Sequence, residues 1–335
     1  MSPAITIYFM QHYLITGRAG FIGSKLVKKL LDTNQDIHIT CIDNFDPFYS
    51  IQQKQFNIAA FEDDPRFTLI KMDLGKTSCN ELLSNIPQHI DVIIHLAAKA
   101  GVRPSIENPM AYQQSNVIGL QNLLEFTREK KVPQFVYASS SSVYGINDHF
   151  PWKEDEKLMP ISPYAMTKLS GEMLGHVYSK LYGIRFIALR FFTVYGPGQR
   201  PDLAIHKFTK ALLSDQPIMM YGNGETSRDY TYVDDIVEGI KSAIHYSNSN
   251  FEIINLGNHY SVSLMQLINM LEKVTGKNAV IEKLPEQPGD VPKTFADIQK
   301  ARELLGYNPS TSLQAGLKKF YDWYVQNQAV LLNKY

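Results

Sequence analysis

Residues 12–23 read H-Y-L-I-T-G-R-A-G-F-I-G. The first part is a short apolar run ending in glycine, which suits a buried strand. From Phe21 to Leu31 apolar residues recur at helical spacing, with Lys25, Lys28 and Lys29 on the solvent side. Between strand and helix stand Gly17, Gly20 and Gly23. Glycine permits a tight turn there, lets backbone N–H groups approach a pyrophosphate, and lets the helix sit close to the strand. The helix N-terminus then offers unpaired donors and the positive end of its dipole to phosphates. Asp43 lies twenty residues past Gly23, at the end of the next strand. A carboxylate at that place can hold adenosine ribose hydroxyls and favour NAD over NADP. Arg18, inside the turn, points the other way, because a basic residue could welcome a 2′-phosphate.

Further along, the strand signal repeats from Asp36 (DIHITCID), Arg66 (RFTLIKMDL), Asp91 (DVIIHLAA), Pro133 (PQFVYASS) and Gly183 (GIRFIALRFF). Helical patterns intervene, notably Ala111 to Glu129. Strands separated by helices imply right-handed crossovers and a parallel sheet covered on both faces. The expected fold is α/β: a Rossmann-type doubly wound parallel sheet with a smaller C-terminal α/β substrate-binding domain. The dinucleotide-binding domain is expected over residues 12–197 and the smaller one over 198–335, where prolines and glycines become frequent and helices short. A segment near 227–242 is expected to return to the first domain. Residues 2–11 read as a short extension ahead of the first strand.

The 335 residues are 44% apolar and 20% charged, which excludes a disordered, collagenous or coiled-coil chain. Thirty-three basic residues balance 33 acidic ones, a poor basis for non-specific binding to nucleic acid or an anionic membrane. No run approaches the ~18 apolar residues of a membrane helix, and no signal peptide is read at the start. Only Cys41 and Cys79 occur, so no disulfide framework is expected and a reducing cytoplasm fits. No metal site is expected. His12, His38, His95 and His206 are scattered, and Asp234 with Asp235 suits a helix start.

A second constellation is Tyr164-Ala165-Met166-Thr167-Lys168. Positions i and i+4 share a helix face, so Lys168 can hold its ammonium beside the Tyr164 phenol. A free tyrosine, with a pKa of about 10, is a poor base at neutral pH. A neighbouring ammonium and a positive nicotinamide ring both favour the phenolate. Ser139, Ser140, Ser141 and Ser142 follow a strand end and can share a substrate hydroxyl proton.

These segments carry a resemblance. TGRAGFIG, Asp43, HLAA (95–98), SSVYG (141–145), YAMTK and RDYTYVDD (228–235) resemble the extended short-chain dehydrogenase/reductases that act on nucleotide sugars. More narrowly, AGVRPSIENP (100–109), YASSSSVYG, RFFTVYGPGQRPD (190–202) and QPGDVPKTFAD (287–297) are similar to UDP-glucuronate 4-epimerases. The resemblance implies that Gly17, Ala19, Gly20, Phe21, Ile22, Gly23, Asp43, Asn44, Asp73, Leu74, Leu96, Ala97, Ala98 and Lys99 contact NAD. Tyr164, Lys168 and Phe191 would complete that set. It implies Tyr164, Lys168 and Ser140 as catalytic residues. Arg103, Ser139, Ser140, Ser141, Thr193, Arg200, Arg228 and Asp290 would meet the UDP-sugar. A homodimer through the 111–129 helix and the Tyr164 helix is implied too, as is a cytoplasmic product feeding polysaccharide precursors.

The implied reaction turns UDP-glucuronate into UDP-galacturonate. Tyr164 takes the proton of the 4-hydroxyl while hydride leaves carbon 4 for tightly bound NAD⁺, and hydride returns to the other face of the 4-keto sugar. Related dehydratases and decarboxylases carry acids where Ser141 and Ser142 stand, which favours plain epimerisation here. The 4-keto glucuronate is a β-keto acid prone to lose carbon dioxide. A bidentate guanidinium can fix its carboxylate against that loss, and Arg200 is nominated. Arg103 is a second candidate, with an i+4 pairing to Glu107 as its plainer reading. Some epimerases carry arginine where Gln287 stands. UDP-glucose or UDP-N-acetylglucosamine epimerisation is the alternative, with UDP-glucuronate decarboxylation behind it. A catalytically silent dinucleotide sensor would be expected to lack the Tyr/Lys pair.

Overall fold

The structure, a computed structural model, describes residues 10–86, 88–286 and 289–328. Gln287, and residues 2–9 of the expected extension, lie outside the described residues. The chain opens with β1 (Gln11–Thr16), α1 (Phe21–Thr33), β2 (Ile37–Asp43), α2 (Ile51–Ile58), β3 (Phe67–Lys71), α3 (Cys79–Asn85) and β4 (Val92–His95). Next come α4 (Val102–Glu107), α5 (Pro109–Tyr112), a π-helical turn (Gln113–Ile118), α6 (Gly119–Lys130), β5 (Gln134–Ser140) and a 3₁₀ turn (Ser141–Tyr144). Then follow α7 (Pro163–Tyr182), β6 (Arg185–Phe191), β7 (Thr193–Tyr195), α8 (Ala204–Leu213), β8 (Ile218–Tyr221), β9 (Ser227–Tyr232) and α9 (Val233–Ile244). The last elements are β10 (Phe251–Leu256), β11 (Ser261–Ser263), α10 (Leu264–Thr275), β12 (Ile281–Leu284), α11 (Gln299–Leu305) and α12 (Leu313–Gln326).

A seven-stranded sheet runs in the order β10-β6-β5-β4-β1-β2-β3, and every pair in it is parallel. Alternation along each strand feeds two cores. Tyr13, Ile15, Ile94, Val136, Ile187 and Leu189 face α1 and α9, against Val27, Leu30, Ile236 and Ile240. Leu14, Ile93, Phe135, Tyr137 and Phe186 face the other way, against Leu120, Leu123, Leu124 and Phe126 of α6. The order reverses between β1 and β4, and the open crevice lies beyond the carboxyl ends of the strands at that switch.

The six strands expected from sequence are β1 to β6. The seventh was missed: β10 pairs with β6 from Phe251↔Phe186 to Leu256↔Phe191. As an edge strand only its last three residues are fully buried, so its pattern is short and weak. The expected return near 227–242 divides after Tyr232. β9 (227–232) sits in a separate three-stranded sheet, β11-β9-β7, while α9 and β10 together go back to the large sheet. A third core, with Phe208, Met220, Tyr232, Leu267, Leu317 and Phe320, holds that small sheet against α8, α10 and α12.

Candidate active site

The turn after β1 is set by backbone. Gly17 has φ +77°, and a Cβ there would stand 2.6 Å from the Ala97 nitrogen. A Cβ on Gly23 would stand 2.4 Å from the Gly17 carbonyl oxygen. Larger residues at either place would push α1 off the strand. α1 begins at Gly20 without a side-chain cap, leaving its first N–H groups to the crevice. Asp43 braces this turn: its carboxylate accepts the Ala19 N–H at 2.8 Å and the Phe45 N–H at 2.8 Å. Arg18 does not offer itself to a 2′-phosphate. Its side chain is buried, its guanidinium lies 4.6 Å from the Phe67 ring and 5.8 Å from that of Phe45, and burial draws its pKa down. The cation faces aromatic rings beneath the turn rather than the crevice.

β5 delivers Ser139 and Ser140 to the edge of the sheet. Ser140 Oγ accepts the Ser142 N–H at 3.2 Å and starts the 3₁₀ turn. α7 is started by Ser162, whose hydroxyl accepts the Ala165 N–H at 3.1 Å, with Pro163 at its first position. This brings Tyr164 and Lys168 over β5. The Tyr164 phenol and the Ser140 hydroxyl line the same cavity. Burial pushes that phenol above its ordinary value, while the Ser140 hydroxyl and the Arg200 charge pull it back. Lys168 Nζ donates to the Ala138 carbonyl at 2.6 Å and lies 5.0 Å from the Tyr137 ring centroid. Burial draws Lys168 down to about 7, opposed by the Glu172 carboxylate. His95 hydrogen-bonds Thr16 at 2.7 Å, and burial lowers it to about 3, so it stays neutral.

One cavity of about 690 Å³ joins the turn to this constellation. Gly17, Gly20, Phe21, Ile22, Gly23, Asp43, Asn44, Asp73, Leu74, Leu96, Ala97, Ala98 and Lys99 line it, together with Ser139, Ser140, Ser141, Tyr164, Lys168, Phe191, Thr193 and Arg200. Four expected residues stand apart. Ala19 is buried within the turn. Arg103 and Asp290 meet each other 2.8 Å apart, with the Arg103 guanidinium 4.8 Å from the Tyr221 ring. The Glu107 pairing expected for Arg103 is therefore replaced by an ion pair from a segment 187 positions away. Arg228 donates to the Ser227 carbonyl at 2.9 Å. Arg200 does face the cavity, but its fork is engaged by Asp202 at 2.9 and 2.8 Å.

Sequence reasoning missed Asn116. It is buried in the π-helical turn, exchanges hydrogen bonds with the backbone of Lys99 at 2.8 and 3.0 Å, and donates to Thr167 Oγ1 at 3.0 Å. Thr167 in turn donates to the Tyr164 carbonyl at 2.7 Å. The side chain thus ties the loop after β4 to the first turn of α7. A π-turn, which often marks a functional site, has no hydrophobic period to announce it. Tyr112, edge-on to Tyr164 at 6.2 Å, and the Lys99–Asp46 pair at 2.7 Å were missed as well. Asp235 accepts the N–H groups of Ser310 and Thr311 at 3.1 and 3.2 Å, so it fixes a loop besides standing in the first turn of α9. Among the described residues no group of three or more His, Cys, Asp or Glu side chains could hold a metal ion.

A doubly wound parallel sheet with a glycine turn, and a serine, tyrosine and lysine converging on one cavity, defines an extended short-chain dehydrogenase/reductase. The chain belongs to the family whose model is described as GDP-mannose 4,6 dehydratase, matched over residues 14–320. The UDP-glucuronic acid 4-epimerase of Bacillus cereus, solved in complex with UDP-glucuronic acid and NAD, superposes with a TM-score of 0.89. It is 42% identical, covering 94% of this chain and 99% of that one. The UDP-glucuronate 4-epimerase of Thermodesulfobacterium geofontis is 39% identical, covering 95% of this chain and 97% of its own. A probable UDP-glucuronate 4-epimerase of Rhizobium meliloti is 37% identical over 94% of this chain and 97% of its own.

Proposed function

We propose that this protein is an isomerase that interconverts UDP-glucuronate and UDP-galacturonate at carbon 4 with bound NAD. The observation that carries the reading is the single cavity in which the Gly17–Gly23 turn, Ser140, Tyr164 and Lys168 all meet, in a chain so similar to UDP-glucuronate 4-epimerases. The residues present fit a dinucleotide, because the turn leaves a cradle that a Cβ at Gly17 or Gly23 would fill. Gly17, Gly20 and the start of α1 would hold its pyrophosphate, Asp43 and Asn44 a ribose, and Asp73 and Leu74 the adenine side. Bound NAD⁺ supplies a hydride acceptor that is regenerated each turnover, so carbon 4 passes through a ketone and returns inverted.

The chain does the rest. The Tyr164 phenolate receives the proton of the 4-hydroxyl, and Ser140, on the same cavity wall, shares it. Lys168 supplies positive charge beneath the exchange. Ser141 and Ser142 line the cavity and bring no carboxylate that could drive elimination or decarboxylation. Arg200, aimed by Asp202, is proposed to clamp the sugar carboxylate and hold it away from the geometry that releases carbon dioxide. Residues 12–197, with α9 and β10, would carry the dinucleotide. The rest of 198–335 would carry UDP, with Arg228 toward the diphosphate and Asp290 toward the uridine ribose.

Two further proposals concern the setting. Met166, Met173, Val177 and Leu181 leave an apolar stripe exposed on α7, beside Ile118 and Met110. Such a stripe suits a second copy of the chain, giving a homodimer through α6 and α7. Light scattering should then report twice the monomer mass, and a concentration-independent monomer contradicts it. The unpaired Cys41 and Cys79 suit a reducing cytoplasm, and among the described residues no helix is long and apolar enough to cross a membrane. The test of the main reading is turnover at matched concentrations of UDP-glucuronate, UDP-glucose and UDP-N-acetylglucosamine, with products resolved by chromatography. UDP-galacturonate should dominate. A faster reaction with an uncharged sugar, or a UDP-pentose as main product, overturns it.

A further inference from the structure

One turn beyond Lys168 on α7, and two beyond Tyr164, stands Glu172. The spacing i, i+4, i+8 puts all three on one helix face, and Glu172 is fully buried. Its carboxylate is forked onto Arg190 of β6, with Arg190 Nε donating at 2.9 Å and a terminal nitrogen at 2.8 Å. The same carboxylate accepts the Ser139 hydroxyl at 2.5 Å. Ser139 and Arg190 face each other across β5 and β6, so one side chain from the helix bridges two strands at a single rung. The remaining Arg190 nitrogen donates to the Glu154 carbonyl at 3.1 Å. The helix lies close here, since a Cβ on Gly171 would come 2.2 Å from the Tyr137 hydroxyl. The neighbours of Ser139 are the working contacts: the Ala138 carbonyl accepts a hydrogen bond from Lys168 Nζ, and Ser140 lines the cavity with Tyr164.

We propose that Glu172, held by Arg190, is a positioning residue for the reaction: it fixes the height of α7 on β5 and supplies the buried negative charge that keeps Lys168 an ammonium. The proposal rests on the assignment of Tyr164 and Lys168 made above. A buried ion pair is a weak stability device, because apolar residues of similar volume often serve as well. A carboxylate one turn from a buried lysine does something those residues cannot. An ammonium taken out of water loses its proton unless a negative charge stands near.

The other groups around Lys168 offer none. Burial raises the phenols of Tyr137 of β5 and of Tyr164 on its own helix, so both are neutral until a bound, positive nicotinamide favours the Tyr164 phenolate. His95 of β4 is neutral. Tyr112 of α5 meets Tyr164 edge-on. Arg190 and Arg200 are cations, each committed to a carboxylate.

Activity that needs the Lys168 ammonium falls as pH rises through the lysine pKa. Neutralising Glu172 lowers that pKa, so the alkaline limb of kcat should move to lower pH by about one unit. The experiment compares the NAD-loaded wild type, Glu172→Gln and the charge-retaining Glu172→Asp with UDP-glucuronate. It is paired with a ¹³Cε-lysine NMR titration of Lys168, assigned through Lys168→Arg. Glu172→Gln should show the shifted limb, about tenfold lower kcat above it, and a matching lower Lys168 titration. Glu172→Asp should keep the wild-type limb. Should Glu172→Gln not fold, the double variant Glu172→Gln/Arg190→Met removes the nearer anion with its cation and should move the limb the same way by a smaller amount. Limb and titration coinciding with wild type in the folded variant overturn the proposal. Wild type that turns over no UDP-sugar overturns instead the assignment beneath it.

Discussion

The two halves of the cavity are built from different materials. On the dinucleotide side the walls are backbone: a left-handed Gly17, close approach at Gly23, the uncapped start of α1, and one carboxylate already bonded to the turn. On the sugar side the expected contacts are long cations, and each is spoken for. Arg200 is forked onto Asp202, Arg103 makes a single bond to Asp290, and Arg228 donates to the Ser227 carbonyl. One half is shaped by backbone, whereas under the proposed reading the other would exchange partners to grip a diphosphate or a carboxylate. A cofactor kept through every turnover suits the first, and a substrate that enters and leaves suits the second.

The sharpest way to break this contrast is in the rigid half. Gly17→Val forces a β-branched residue into a left-handed conformation and into the Ala97 backbone. NAD affinity should fall at least about 100-fold, about 2.7 kcal/mol, with a lowered Tm. Calorimetric titration finding unchanged NAD binding would remove the turn from the cofactor site. Next in size is Arg200→Ala. KM for UDP-glucuronate should rise about 10- to 100-fold, as expected for losing a bidentate charged contact, and a UDP-pentose should appear, while KM for UDP-glucose changes little. Normal affinity without the pentose would return Arg200 to a purely structural pairing with Asp202.

A third test uses pH. Lys168 titrates near 7 in the fold, against an ordinary 10.5. Between those values the unfolded chain binds the extra proton, so this residue makes the fold more stable as pH rises from 7 toward 10. Lys168→Met lacks that dependence. Scanning calorimetry should find the wild type gaining on the variant across this window, and a constant gap would contradict the burial argument. The smallest effect belongs to the half-exposed Arg103–Asp290 pair. A double-mutant cycle on Tm should assign it under about 1 kcal/mol, and a larger coupling would make it a structural latch rather than an exchangeable partner.

The same contrast explains what was legible in the sequence. The rigid half could be read because glycine, strand and helix signals lie within twelve residues, and Tyr164 with Lys168 lies within one helical turn. The end of a clear strand marked the run Ser139–Ser142, and the family resemblance singled out Ser140 within it. The other half depends on pairings that no local pattern encodes: Arg103 with Asp290 from the far end of the chain, and β10 on the edge beside β6. Asn116 was hidden because a π-turn breaks the helical period that would have marked it. Arg18 was misjudged for a related reason, since only the packed structure reveals Phe45 and Phe67 waiting beneath the turn.

The central claim is that the Tyr164 phenol exchanges the sugar's 4-hydroxyl proton. The most direct measurement is the rate of UDP-galacturonate formation by Tyr164→Phe, with UDP-glucuronate binding followed in the same preparation. The account predicts a fall of about 10²- to 10⁴-fold in kcat at nearly unchanged substrate affinity. Inversion at the wild-type rate would contradict it.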